Sequence, residues 1–317
     1  MATRSDYTRP THTKKSRQAK PVRGAFGYYG AKRRLAGKII ETLPPHNAWV
    51  EAFCGSAAMT LVKPPAPIEV INDRDGEIVN LFRQLRNNGD KLCEAIALTP
   101  YSREEFMQAR SSRAGVDPVE RARRFLVASM MGVNGTVGSF GCGFSFSQSY
   151  AREGREARVN RWYNLPDRLT GVIERLRGVR VENRDAREIV GMFSNRPATL
   201  LYLDPPYLMT RRHGYSVDDN SDEFHSELLT LCTKARCMMM ISGYESKLYS
   251  DILRSSRGWT RRIIDTDTRD TSGRQHPRRE VLWTNERFVA ARRRGRVPIR
   301  LTAKERSQGK VNPPRQR

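Results

Sequence analysis

The residues of this 317-residue chain best suited to chemistry are Asp204-Pro205-Pro206-Tyr207, which follow directly on the apolar run Leu200-Leu201-Tyr202-Leu203. Two consecutive prolines fix the backbone and remove two N–H donors, leaving carbonyl oxygens free to accept. An amino group between the Asp204 carboxylate and the Pro205 carbonyl would donate both hydrogens, which localises its nitrogen lone pair for attack. Tyr207 offers a ring face against which an unstacked nucleobase can rest. Asp204, Pro205, Pro206 and Tyr207 are therefore the candidate catalytic residues. The plainer alternative is a strand that ends in a rigid proline turn capped by Asp204.

Three further groups are suited to holding a ligand. In Glu51-Ala52-Phe53-Cys54-Gly55-Ser56-Ala57, Gly55 and its small neighbours let a ligand approach the backbone closely, although this is not the three-glycine dinucleotide fingerprint. Asp73 ends the next apolar run, where an acidic side chain can take the ribose hydroxyls of a nucleoside or cap the helix that follows. Tyr28-Tyr29-Gly30-Ala31-Lys32 reads as a glycine turn opening a helix, its lysine placed to hold a carboxylate or simply solvated.

Short apolar runs at 49–53, 68–71, 199–203 and 237–241 each end in small or acidic residues and alternate with helical patterns. That alternation predicts an α/β fold built on a mostly parallel sheet, which binds ligands at its strand ends. Ile78, Leu81, Phe82 and Leu85 fall at i, i+3, i+4 and i+7, so a helix follows the second strand, with Asn88-Gly89 as a left-handed stop. The runs 261–264 and 281–283 are expected to close the sheet as an antiparallel pair. From 98 to 182 the alternation breaks at the glycine-rich stretch from Gly132 to Gly143. That segment reads as an inserted module, with Arg121, Arg123, Arg124, Arg152, Arg155, Arg158 and Arg161 interleaved with Phe140, Phe144, Phe146 and Trp162. Basic and aromatic residues together suit phosphates and unstacked bases; a glycine-rich flap with a solvated face is the alternative. The expected organisation is a catalytic domain at 23–97 and 183–289, the insertion at 98–182, and basic tails at 1–22 and 290–317.

Lys and Arg number 57 against 34 Asp and Glu, a net charge of +23. Such an excess favours a polyanionic partner, nucleic acid first, unless the basic tails alone account for it. The five cysteines include no C-x-x-C pair, so neither a disulfide framework nor a zinc site is expected, and a reducing cytoplasm fits. No apolar run approaches the roughly 20 residues that span a bilayer, so no membrane partner is expected.

Taken in order, these residues resemble the Dam-type family of DNA adenine-N6 methyltransferases. The likeness extends from Phe26 to Asn285 and is sharpest at Tyr28–Leu35, Val50–Ala58, Ile71–Asp75, Ile78–Arg86 and Asp204–Tyr207. It implies a Rossmann-like S-adenosylmethionine-dependent methyltransferase sheet, mostly parallel with one antiparallel strand, carrying an inserted DNA-recognition module. It further implies that Tyr28, Gly30, Lys32, Phe53, Gly55, Ser56 and Asp73 contact S-adenosyl-L-methionine, with Asp185 near its adenine. Asp204 to Tyr207 would hold the target base, Asp204 also lying close to the methyl donor. Arg124, Asn134, Gly135, Arg158 and Arg161 would meet DNA. The implied reaction is methylation of N6 on a flipped adenine in double-stranded DNA, without metal, by a monomer or weak dimer in a bacterial or phage-infected cytoplasm. Cytosine N4, RNA, and a DNA-binding protein that keeps the fold without catalysis are the alternatives. The chain departs from many members in having Gly30-Ala31-Lys32 for Gly-Gly-Lys and Gly27 for lysine. His225, beside Phe224 on a helical pattern, matches a family position but reads as structural.

Overall fold

The computed structural model describes residues 22, 24–26, 32, 35–111, 115–133, 143–148, 150–208, 221–269 and 275–300. Among the described residues nine strands are formed: β1 (Ala48–Glu51), β2 (Ile68–Asn72), β3 (Ala151–Arg152), β4 (Arg155–Glu156), β5 (Val179–Glu182), β6 (Thr199–Leu203), β7 (Met238–Gly243), β8 (Trp259–Arg269) and β9 (Gln275–Asn285). The helices are α1 (Ala36–Ile40), α2 (Ala58–Val62), α3 (Gly76–Asn87), α4 (Gly89–Ala97), α5 (Arg103–Ala109), α6 (Pro118–Met131), α7 (Ala157–Tyr163), α8 (Leu165–Leu176), α9 (Ala186–Phe193), α10 (Asp222–Thr233), α11 (Lys247–Ile252) and α12 (Glu286–Arg294).

Seven strands form one sheet in the order β5-β2-β1-β6-β7-β9-β8. All neighbours are parallel until β9, which runs antiparallel to both β7 and β8. This is the mostly parallel α/β sheet that the sequence pattern predicts, with the one reversed strand that the family resemblance implies. Strands β1, β6 and β7 are buried along their whole length because helices cover both faces, which is why they read as continuous apolar runs rather than alternating ones. Their side chains still divide by the strand period. Val50, Leu201, Leu203, Met239 and Ile241 pack on one face with residues of α9, α10 and α11. Trp49, Leu200, Tyr202, Met238 and Met240 pack on the other with Ile39, Phe288 and Ala291.

Two expectations are corrected. Val179–Glu182, assigned from the sequence to the inserted segment, is instead a sheet strand paired with β2. The helices before it share a core with α3, since Phe26 lies 5.1 Å from Phe125 edge-to-face and 6.4 Å from Phe82. Gly89 is not a left-handed stop: Asn88 has φ −135°, and Gly89 begins α4. Glycine leaves room there for α8, because a Cβ would meet Ile173 Cδ1 at 2.7 Å and the isoleucine side chain would have to shift. Among the described residues no helix is long and apolar enough to cross a membrane.

Candidate active site

The parallel strands β1, β2, β5 and β6 all end at one edge of the sheet, and the predicted site residues follow those ends. Glu51 is the register partner of Tyr202, and Ala52 N–H donates to the Tyr202 carbonyl at 3.0 Å. The chain beyond each strand therefore enters the same edge side by side, which makes the Gly55 bend and the Asp204 turn neighbours. Gly55 takes a left-handed φ of 47°, as only a residue without Cβ does at little cost, and Ala57 follows at φ 52°. Asp73 locks this bend to the end of β2 by accepting the Gly55 N–H at 2.8 Å and the Asp75 N–H at 3.0 Å. The helix cap is Asp75, whose carboxylate accepts the Glu77 N–H at 2.8 Å, so Asp73 is left facing the edge. Burial pushes the Asp73 carboxyl up to about 6, against the N–H groups that favour its charge.

Two asparagines that the sequence reading did not single out complete this side. Asn72 donates to the carbonyls of Ala52 (2.9 Å) and Arg184 (3.1 Å) and accepts the Arg184 N–H (2.9 Å). Asn183 donates to the Asp73 carbonyl at 2.9 Å. They fasten three successive strand ends together. Asp185 caps α9 and is clasped by the Arg187 guanidinium at 3.0 and 2.7 Å. Burial opposes its charge, but Arg187 outweighs burial and holds the carboxyl below its usual range. Beside it, an open cleft of about 570 Å³ is lined by Arg74, Arg83, Asn183, Arg184 and Asp185. Phe53 packs edge-to-face on Phe224, their centroids 6.4 Å apart. Ser56 Oγ is buried with no hydrogen-bond partner among the described residues. A bare left-handed bend, an unpartnered hydroxyl and a braced carboxyl fit a nucleoside ligand laid across the ends of β1 and β2.

On the other side of the edge stands Asp204. Ser242 at the end of β7 donates to its Oδ1 at 2.9 Å, and Ser242 is itself 2.9 Å from the Tyr202 hydroxyl. Lys32 Nζ lies 2.8 Å from the same Oδ1, 2.5 Å from the Tyr207 hydroxyl and 3.3 Å from Glu280 Oε1. Burial works against the Lys32 charge, but Asp204 foremost among its neighbours holds it protonated above the usual lysine range. Pro205 is buried and Pro206 half-buried, so the turn is fixed in the protein rather than projecting. Tyr207 stacks on Tyr244, ring centroids 4.1 Å apart and planes 18° from parallel.

Lys32, Asp204 and Tyr207 are thus brought together, as are Gly55 and Asp73. The family resemblance gave Lys32 a contact with S-adenosyl-L-methionine; here its ammonium is shared among the protein's own Asp204, Glu280 and Tyr207. Tyr28, Gly30, Asn134 and Gly135 lie outside the described residues. Arg124 pairs with Glu120 on its own helix at 2.8 Å, Arg158 is exposed on α7 and Arg161 half-buried on that helix. His225 is fully buried, its Nδ1 2.9 Å from the Tyr249 hydroxyl, as a core residue would be. The residues missed are Ser242, Tyr244 and Glu280. The polar end of the run 237–241 was visible at Ser242, whereas Glu280 carried no local signal.

The sheet and its acidic strand ends define a Rossmann-like enzyme scaffold. The chain belongs to the D12 class N6 adenine-specific DNA methyltransferase family, whose model matches residues 28–271. It is 32% identical over 114 residues to the Type II methyltransferase M1.LlaDCHI of Lactococcus lactis subsp. cremoris; the match covers 33% of this chain and 40% of that protein's length. Similar solved structures include a precorrin 8w decarboxylase of Methanobacterium thermoautotrophicum, at TM-score 0.33 and 10% identity over 80% of this chain and 88% of the other. A putative RNA methyltransferase of Pyrococcus horikoshii matches at TM-score 0.32 and 7% identity over 79% and 78% of the two chains.

Proposed function

We propose that this chain transfers a methyl group from S-adenosyl-L-methionine to N6 of an adenine flipped from double-stranded DNA. The observation that carries the proposal is the Asp204 carboxylate, fixed by Ser242 and Lys32 at the end of β6 beside the strand that leads to the Gly55 bend. Phe53, Gly55, Ser56, Asp73 and Asp185, joined by Tyr28 and Gly30, would hold the donor. Bound there, it supplies an electrophilic methyl on a cationic sulfur.

The protein's own work is grip and orientation. Ser242 and Lys32 both donate to Oδ1, which leaves Oδ2 of Asp204 to accept one hydrogen of the target amine, with the Pro205 carbonyl accepting the other. Tyr207, backed by Tyr244, gives the base a flat face. Flipping the base costs a few kcal/mol, and stacking on tyrosine offsets part of that. Holding nucleophile and electrophile in line removes an entropic barrier, so positioning carries much of the catalysis. Arg124, Arg158 and Arg161, with Asn134 and Gly135, would meet the DNA, and a monomer or weak dimer in a bacterial or phage-infected cytoplasm fits this work.

The test is incubation of purified protein with DNA and labelled donor, followed by mass spectrometry of the nucleosides. N6-methyladenine is expected, and its absence, or label in N4-methylcytosine or RNA instead, would overturn the assignment. Asp204→Ala should abolish transfer while donor and DNA binding survive; full methylation by that variant would remove Asp204 from the mechanism.

A further inference from the structure

Glu280 lies on β9, opposite Ile264 of β8, and is only 3% exposed, with its side chain at the edge that carries Asp204. Its Oε2 takes the Tyr207 hydroxyl at 3.5 Å, while Oε1 lies 3.3 Å from Lys32 Nζ without a well-directed hydrogen bond. Lys32 therefore stands between two carboxylates, 2.8 Å from one and 3.3 Å from the other. A buried oxygen with spare accepting capacity is costly to keep, and a hydrophobic strand position would be cheaper without it. We propose that Glu280 is a positioning residue that receives, through Lys32, the proton released when the target amine is methylated.

The inference rests on the methyltransferase reading and concerns the step after the new bond forms. The amine lone pair makes the N–C bond while the S–C electron pair leaves on the donor sulfur, so the nitrogen becomes cationic. One N–H bond then breaks with its electrons returning to nitrogen, and the proton passes to Asp204. Lys32, an ammonium with no lone pair to offer, first gives one of its own protons to Glu280 Oε1, and the amine so freed takes the proton from Asp204. Asp204 ends as a carboxylate again, Lys32 as an ammonium and Glu280 as a neutral acid, which returns its proton to solvent past the Tyr207 hydroxyl. Only one unit of charge has moved, and it has moved away from the reaction centre.

Among the described residues, the charged and titratable groups facing Glu280 are Lys32, Asp204 and Tyr207, with Tyr202 of β6 behind Lys32. Its strand neighbour Arg279 is exposed and 3.7 Å from Asp265. Burial, with Asp204 adding and Lys32 opposing, sets the Glu280 carboxyl at about 7. The accepting, deprotonated form therefore grows between pH 6 and pH 8.

The experiment compares wild type with Glu280→Gln in single-turnover methylation across pH, and by infrared titration of each protein alone. The wild-type rate should rise about tenfold from pH 6 to pH 8, following an ionisation near 7. In Glu280→Gln that rise should vanish, with a rate at pH 8 lowered about tenfold and KM for DNA unchanged. A buried carboxyl band titrating near 7 should be present in wild type and absent from the variant. Glu280→Asp should restore the pH rise, and serves in place of glutamine should that variant not fold. An unaltered pH profile in Glu280→Gln, or no such band in wild type, overturns the relay. A wild type that methylates no base sinks the methyltransferase reading instead, so the two failures are distinct.

Discussion

Two buried ionic clusters sit at opposite ends of the sheet and have opposite composition. At the start of β2, one anion is held by two cations. Glu69 accepts from Lys63 Nζ at 2.6 Å and from both terminal nitrogens of Arg175, the Nη2 contact at 2.9 Å, and from the Ala66 N–H at 3.0 Å. Arg175 continues to the Thr60 carbonyl at 2.7 Å and Lys63 to the Pro64 carbonyl at 2.6 Å. At the ends of β6 and β9 one cation, Lys32, is shared by two anions, and one carboxylate oxygen goes without a directed bond. In the first cluster the anion is fully bonded, although Arg175 Nε has no partner among the described residues: burial raises the Glu69 carboxyl, but Arg175 and Lys63 more than offset it and keep the acid ionised. The second leaves an acid raised to about 7. The buried carboxylate outnumbered by cations stays ionised and serves the fold, and the one that shares a single cation with a second carboxylate is a candidate for chemistry.

The largest expected effect breaks the first cluster. Glu69→Met leaves Lys63 and Arg175 buried without their anion, and loss of one partner from such a group typically costs roughly 3–5 kcal/mol. Urea unfolding should show that loss, while the kcat of the protein still folded stays at the wild-type value. A lowered kcat at full folding would mean that the two clusters are coupled and the contrast is false. Next in size is Lys32→Met, which sets Asp204 against Glu280 with no cation between them. We expect kcat to fall about a hundredfold, roughly 2.7 kcal/mol in the barrier. Calorimetry then sharpens the assignment, because an unchanged affinity for S-adenosylmethionine keeps Lys32 with the carboxylates. A matching loss of donor affinity would return it to the cofactor, as the sequence alone suggests.

The same contrast explains what could be read in the sequence. Strands β1, β2, β6 and β7 announce themselves because burial on both faces makes each an apolar run ended by a polar or small residue, and those ends carry Gly55, Asp73 and Asp204. Strand β5 was hidden: Val179-Arg180-Val181-Glu182 is a sheet edge with only Val179 buried, so its composition is that of a surface loop. Glu280 was hidden for a different reason. It follows Arg278 and Arg279 in a segment that reads as a basic turn, and only the antiparallel pairing of β9 with β7 brings it to Lys32. The partner of Lys32 was equally illegible, since nothing local in Lys32 distinguishes a ligand's carboxylate from that of a residue far along the chain. Short-range patterns encode strand ends; the charges that meet across them are set by topology.

Glu51 stands between the two extremes and gives the smallest test. It ends β1, 3% exposed, and its donors among the described residues are neutral: Thr60 N–H at 3.0 Å, the Met59 N–H and the Thr60 hydroxyl, whose oxygen accepts Trp49 Nε1–H at 2.7 Å. Burial pushes its carboxyl up to about 8, against those donors and with Asp204 adding. Because the folded value lies above the ordinary 4.5, the folded chain holds a proton that the unfolded chain releases. The resulting stability is complete below about 4.5 and is lost as pH rises towards 8, by at most about 1.4 kcal/mol per pH unit for one such group. Glu51→Gln keeps an oxygen for Thr60 and removes the titration. Its unfolding free energy in urea should therefore fall less steeply than that of wild type between pH 6 and pH 7.5, by up to about 2 kcal/mol over that range. Parallel pH dependences would show that Glu51 is ionised in the folded protein, and neutral donors alone would then suffice to hold a buried carboxylate at this edge.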